Sequence, residues 1–136
     1  MSRGAAIVLA LALLLAMPVA RLVARADLVR GERVFQRCYA CHSVADTEER
    51  LTGPSLHCVL GRKAGTLPGF EYSSAMVEAG AGRGLVWTHE TLDAFLVDTQ
   101  ALVPGTAMWI PSLTAPSDRQ DLIDYLAASG PCPPRP

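Results

Sequence analysis

Cys38-Tyr39-Ala40-Cys41-His42 is the stretch on which the reading of this chain turns. Two thiols separated by two residues, with an imidazole directly after the second, form the C-x-x-C-H pattern of c-type haem attachment. The spacing has a chemical reason. On one helical turn the two thiols reach the two vinyl groups of a single porphyrin and form thioethers, and the next residue projects its imidazole at the iron. Cys38 and Cys41 are therefore the candidate thioether residues and His42 the candidate iron ligand. An iron working in electron transfer takes a second axial ligand, and a His/Met pair raises its reduction potential. A C-x-x-C alone also suits a thioredoxin-like redox pair or half of a zinc site. The redox pair calls for a βαβ setting, whereas the residues around Cys38 read as helix with no strand pattern before them. The zinc site calls for a second Cys/His pair at short spacing, and Cys58 and Cys132 stand alone.

The rest of the composition agrees with an exported haem protein. The 136 residues are enough for one domain. Met1-Ser2-Arg3-Gly4 makes a basic start, residues 5–17 are small or apolar, and Ala24-Arg25-Ala26 has the A-x-A form of a cleavage site. Residues 1–26 thus read as a secretory signal peptide ahead of a mature domain, 27–136. Pro18-Val19-Ala20 offers a second cleavage position. The apolar run is shorter than the roughly 20 residues of a spanning helix, so an uncleaved anchor is the lesser reading. Losing Arg3, Arg21 and Arg25 leaves nine basic residues against 13 acidic ones, a net charge of −4. That balance speaks against nucleic acid as a partner. Export to the periplasm suits both covalent haem attachment and disulfide formation.

Along the mature chain the periodicity predicts a helix over 28–39, with Leu28, Val34, Phe35 and Cys38 near one face. Gly31 lies on that stripe, where a glycine costs about 1 kcal/mol relative to alanine. It implies close approach by another helix. Residues 43–52 are polar loop, residues 74–79 a short helix, and Thr88 an N-cap ahead of the Thr91, Leu92, Phe95 and Leu96 stripe. A last helix over 117–128 carries Asp118 and Asp121 early, buries Leu122, Ile123, Tyr125 and Leu126, and stops at Gly130. The result is three or four helices, long loops and no strand. Loops this long in a small domain go against the assignment unless a large apolar cofactor fills the middle.

C-x-x-C-H followed in order by Gly53-Pro54, Gly61-Arg62-Lys63-Ala64-Gly65, Trp87, Pro104-Gly105-Thr106-Ala107-Met108 and Asp121-Leu122-Ile123-Asp124-Tyr125-Leu126 resembles the class I cytochromes c. The likeness is greatest to the soluble bacterial carriers akin to mitochondrial cytochrome c, and covers residues 28–129. It implies an all-α fold, three to four helices with long loops wrapped around one covalently bound haem c. It implies a one-electron carrier rather than an enzyme. Such a carrier is a monomer that docks transiently on reductase, oxidase or dehydrogenase complexes of respiration or photosynthesis. Any membrane contact would come through those partners or an uncleaved signal.

The resemblance also assigns residues. His42 becomes the proximal ligand, its second ring nitrogen held by the Pro54 carbonyl, and Met108 the distal ligand. Methionine is usually core filler, and Met76, the other methionine of the mature chain, sits on a short helix beside glycines with no rigid approach to an iron, whereas Pro104 and Gly105 give Met108 a stiff turn. Arg62, Tyr72 and Trp87 match residues that bond or neutralise a haem propionate, and Thr106 adds a hydroxyl. Gly31, Phe35, Leu122 and Tyr125 match a crossing of the first and last helices. The family usually has glycine where Cys58 stands, and the end of its last helix lies near that loop, which implies a Cys58–Cys132 disulfide. His57 and His89 are expected to be surface residues without a ligand role. One departure concerns partners. Mitochondrial-type carriers ring the haem edge with lysines, whereas Lys63 is the sole lysine here, and Gln100, Ala101 and Ala107 stand near the methionine loop. An apolar docking patch around Trp109 and Ile110 is expected in their place. A gas sensor or peroxidase needs an open iron position, which Met108 would block; a haem subunit of a larger dehydrogenase is a third reading.

Overall fold

The computed structural model describes residues 27–46, 51–130 and 132. The expected signal peptide, residues 1–26, lies outside the described residues.

The first helix, α1, covers 27–35, and its glycine decides what it packs against. A Cβ on Gly31 would stand 2.1 Å from the Asp121 carbonyl oxygen and 2.5 Å from the Tyr125 Cβ, so only glycine admits this approach. Asp121 and Tyr125 belong to the last helix, α5, Pro116–Ala127. The Phe35 and Tyr125 rings meet beside the crossing with centroids 5.6 Å apart. Arg30 on the exposed side pairs with Asp27 and, at 2.9 Å, with Asp121.

Between these two lie α2, Ser74–Ala81, α3, His89–Val97, and the single turn α4, Thr99–Leu102. Each starts on a side-chain cap. Ser73 accepts from the Met76 N–H, Thr88 and Thr91 cap each other's backbone reciprocally, and Asp98 accepts from the N–H groups of Gln100 and Ala101. Such caps satisfy amide donors that the first turn leaves unpaired. α3 packs on α4 and α5. Arg119 of α5 is buried there, donating to Asp93 of α3 at 2.7 Å and to the carbonyls of Leu113 and Thr114. Leu92, Phe95, Leu96, Val103, Leu122, Ile123 and Leu126 form the centre of the core. Among the described residues the only β pairing is an isolated bridge, Lys63 with Val86, and no helix is long and apolar enough to cross a membrane.

Five sequence expectations change. α1 stops at residue 35 rather than 39, because the Cys38 N–H bonds back three residues to Phe35 at 2.7 Å and the chain turns over 36–41. Pro116 opens α5 instead of preceding it, as proline does at a first helical position. Ala128, not Gly130, caps its end. Tyr125 is half-buried, while Asp121 lies past the first turn and serves Arg30.

Cys58 and Cys132 are joined, their Cα atoms 5.5 Å apart across 74 residues of chain. Cys58 has φ 50°, the left-handed region that favours glycine, which accounts for the glycine usual at this place in the resembling family. His57 departs from the surface expectation. It is half-buried, with Nδ1 3.0 Å from the Ser129 carbonyl and 3.3 Å from that of Val44. Gly130 serves this latch, since a Cβ there would meet His57 Cε1 at 2.9 Å. His89, as expected, is exposed; its Nε2 lies 3.6 Å from Asp124.

Candidate functional site

The turn after α1 brings the two thiols and the imidazole together. Cys41 N–H and His42 N–H both bond to the Cys38 carbonyl at 3.0 Å, closing the C-x-x-C-H stretch on itself. Cys38 is half-buried against the core and Cys41 exposed, and neither takes part in a disulfide. Burial pushes the Cys38 thiol above its usual range, with Arg37 pulling the other way.

His42 is 7% exposed, and its Nδ1 lies 2.7 Å from the Pro54 carbonyl oxygen. A carbonyl only accepts, so Nδ1 carries the proton and Nε2 keeps a lone pair. Burial moves the imidazole below its ordinary pKa, against a smaller upward pull from the Pro54 bond. A neutral imidazole with an oriented lone pair is the form in which histidine binds a metal. Gly53 makes the arrangement possible. A Cβ there would lie 2.4 Å from His42 Cε1 and 2.7 Å from Nδ1, while the Gly53 N–H bonds to the Cys41 carbonyl at 2.8 Å. The motif Gly53-Pro54 was visible in the sequence; that its glycine is the floor under the imidazole was not.

Met108 sits half-buried against the core on a second loop. Val103-Pro104-Gly105-Thr106 is a turn closed by the Thr106 N–H on the Val103 carbonyl at 3.0 Å, with Gly105 at φ 85°. Proline followed by a positive-φ glycine is the residue order of a type II turn. Gln100 clamps it from α4, its amide accepting from the Gly105 N–H and donating to the Thr106 carbonyl, both at 3.0 Å. Thr99 Oγ1 donates to the Met108 carbonyl at 2.9 Å. The buried Thr106 hydroxyl accepts from the Met108 N–H at 3.4 Å. Gln100 was read only as a place where a lysine is missing. Met76, 7% exposed on α2, belongs to the core.

Arg62, Tyr72 and Trp87 come together as a third group. The Arg62 guanidinium donates to the Ser55 carbonyl at 2.9 Å and to that of His57, and the Tyr72 hydroxyl hydrogen-bonds with its side chain. Burial raises the Tyr72 hydroxyl above its usual range, opposed by the Arg62 charge. The Trp87 N–H bonds to the Arg62 carbonyl at 2.9 Å, and its buried ring lies 5.0 Å from Phe95. Thr106 stands with Met108, not with these three, among the described contacts.

Known proteins are similar to this chain over most of its length. It is 45% identical over 104 residues to cytochrome c2 of Rhodomicrobium vannielii, covering 76% of this chain and 80% of that one. The solved cytochrome c2 of Rhodospirillum centenum superposes with a TM-score of 0.71 at 36% identity, over 77% of this chain and 99% of that chain. The chain belongs to the class I cytochromes c. Cytochrome cH of Methylobacterium extorquens matches similarly, at 36% identity and a TM-score of 0.67 over 75% of this chain and 98% of that one. No protein-family model matches it. The cytochrome thus has the small helical fold of its class, binds one covalent c-type haem with its iron, and is a haem-containing electron carrier. The thiol pair, the neutral imidazole and the thioether loop are a donor set that suits this group.

Proposed function

We propose that the cytochrome is a periplasmic one-electron carrier in which Cys38 and Cys41 hold the haem by thioethers and His42 and Met108 are its axial ligands. The observation behind this reading is the His42–Pro54 hydrogen bond of 2.7 Å, which commits the ring proton to Nδ1 and leaves Nε2 for iron. A carbonyl in this place fixes the ring and raises the basicity of the ligand. When bound, the haem exchanges one electron between Fe(III) and Fe(II) with no bond made or broken. Thr99, Gln100 and Thr106 hold the backbone on either side of the thioether, so that Met108 is presented by a fixed loop. Arg62, Tyr72 and Trp87 would offer donors to a haem propionate, with Thr106 adding a hydroxyl on the propionate side, since a buried carboxylate without partners is costly. With Met108 in the second axial position no place is left for a substrate, so the protein is a carrier and not an enzyme. Cleavage after Ala26 would deliver residues 27–136 to the periplasm, and redox complexes are the partners, met by transient docking.

The test is the optical spectrum of the holoprotein expressed in the periplasm, oxidised and reduced, beside Met108→Ala. A weak red-region band of sulfur-ligated ferric iron, absent from the variant, with no carbon monoxide binding by the wild type, is the expected result. High-spin or carbon monoxide-binding iron in the wild type would overturn it.

A further inference from the structure

The Cys58–Cys132 disulfide joins two sulfurs in unlike places. Cys58 is 7% exposed, whereas Cys132 is exposed, two residues beyond Gly130. Beside the buried sulfur stands an imidazole that has no part in the haem site: His57 Nε2 lies 3.4 Å from Cys58 Sγ. Its other nitrogen, Nδ1, faces the Ser129 and Val44 carbonyls, which only accept, so Nδ1 carries a proton. The neutral ring thus turns the Nε2 lone pair towards a sulfur that, in a disulfide, has no proton to share. Two other states of this contact do make a hydrogen bond. A ring protonated at Nε2 donates to the sulfur, and a reduced Cys58 donates its S–H to Nε2. Such a contact suits the breaking and making of the S–S bond.

Reduction would leave the partners together. The Cys58 N–H donates to Ser129 Oγ at 3.2 Å, and His57 donates to the Ser129 carbonyl at 3.0 Å. Gly130 lies so near the imidazole that a Cβ would come within 2.9 Å of Cε1. These contacts need neither sulfur. They hold residues 129–130 on the 57–58 segment, so the two thiols of a reduced form keep a high effective concentration for one another.

We propose that Cys58 and Cys132 are a second redox centre of the cytochrome, a reversible two-electron pair that exchanges with dithiols. One thiolate of the dithiol attacks the exposed Cys132 Sγ and forms a new S–S bond there. The Cys58–Cys132 bond breaks with its electron pair on Cys58, and His57 Nε2 delivers the proton that Cys58 takes up. The second thiolate then attacks the dithiol sulfur bound to Cys132, closing the dithiol's own disulfide and expelling Cys132, which takes a proton from water. The dithiol loses two electrons and two protons, and the cysteine pair gains them. Nothing in this exchange involves the iron or its ligands.

The test is reduction of the holoprotein by dithiothreitol, with the iron kept ferrous by ascorbate so that the dithiol acts on the disulfide alone. Thiols are alkylated at intervals and counted by mass. The wild-type rate is expected to rise in proportion to dithiothreitol and to stay within about twofold in urea below the unfolding transition, as attack on the folded state requires. A brief exposure to 2-mercaptoethanol, then alkylation, should place the mixed disulfide on Cys132 and the alkyl group on Cys58. Oxidised glutathione should afterwards restore the original pair. His57→Asn, whose amide N–H replaces that of Nδ1 but which lacks Nε2, should be reduced about tenfold or more slowly at an unchanged urea midpoint. A wild-type rate that climbs with urea in step with unfolding, a mixed disulfide on Cys58, a pair that does not re-form, or His57→Asn reduced at the wild-type rate would each overturn the proposal. The first three are read on wild type, so they decide the matter even where the variant does not fold.

Discussion

Two loops flank the candidate site, and they are held by different means. Residues 53–62 on the His42 side are tied by a disulfide at Cys58, by His57 against the Ser129 and Val44 carbonyls, and by Arg62 folded back on Ser55 and His57. The Met108 loop has no covalent tie; Thr99, Gln100 and Thr106 secure it through neutral hydrogen bonds. Each such bond contributes about 1 kcal/mol net, so this side is the one built to yield first. A carrier can use that asymmetry. The imidazole side stays fixed while the Met108 side, held only by hydrogen bonds, has more freedom to adjust.

The largest expected effect comes from cutting the covalent tie. Replacing Cys58 and Cys132 together by serine should lower unfolding stability by about 4 kcal/mol, from the entropy of a loop spanning 74 residues. Chemical denaturation measures it. The sulfur–iron band should survive, because the Met108 loop does not depend on the disulfide; loss of the band would mean the two loops are one unit.

Gln100→Leu acts on the weaker side. Removing both ends of the clamp should cost about 2 kcal/mol and let added imidazole displace Met108 at up to about thirtyfold lower concentration than in wild type. An unchanged imidazole titration would show that the Pro104-Gly105 turn alone holds the loop.

The smallest effect concerns pH. Tyr72 is raised above its ordinary value of 10.0, chiefly by burial. A group with a raised folded pKa supports folding below the unfolded pKa and loses that contribution as pH rises through the folded value. Wild-type stability should therefore fall above about pH 10, and Tyr72→Phe should flatten that alkaline limb while leaving neutral pH nearly unchanged. Equal alkaline slopes in denaturation curves of the two proteins would place the titrating group elsewhere.

Much of this was legible before any coordinates. The helix crossing could be read from one glycine on an apolar stripe, and the start of α3 from Thr88. These signals are local, carried by period and capping chemistry. His57 was misread as a surface residue because its partners, Val44 and Ser129, are distant in sequence and are backbone carbonyls, which leave no trace in side-chain pattern. Gln100 was missed because its partners, though near in sequence, are the backbone N–H of Gly105 and carbonyl of Thr106. The end of α1 moved because a three-residue back-bond at Cys38 competes with helix continuation, and both use the same residue types.

By itself the sequence supplied the candidate chemistry: the C-x-x-C-H stretch offers two thiols and an imidazole, and the family resemblance adds the Met108 thioether, because donor identity is a property of side chains. Only the tertiary structure decided which nitrogen of His42 keeps its lone pair, why Gly53 must be glycine, and that one loop is bolted while the other is merely hydrogen-bonded. Those depend on distances of a few ångströms between segments far apart in the chain, and such distances exist only once the core has closed.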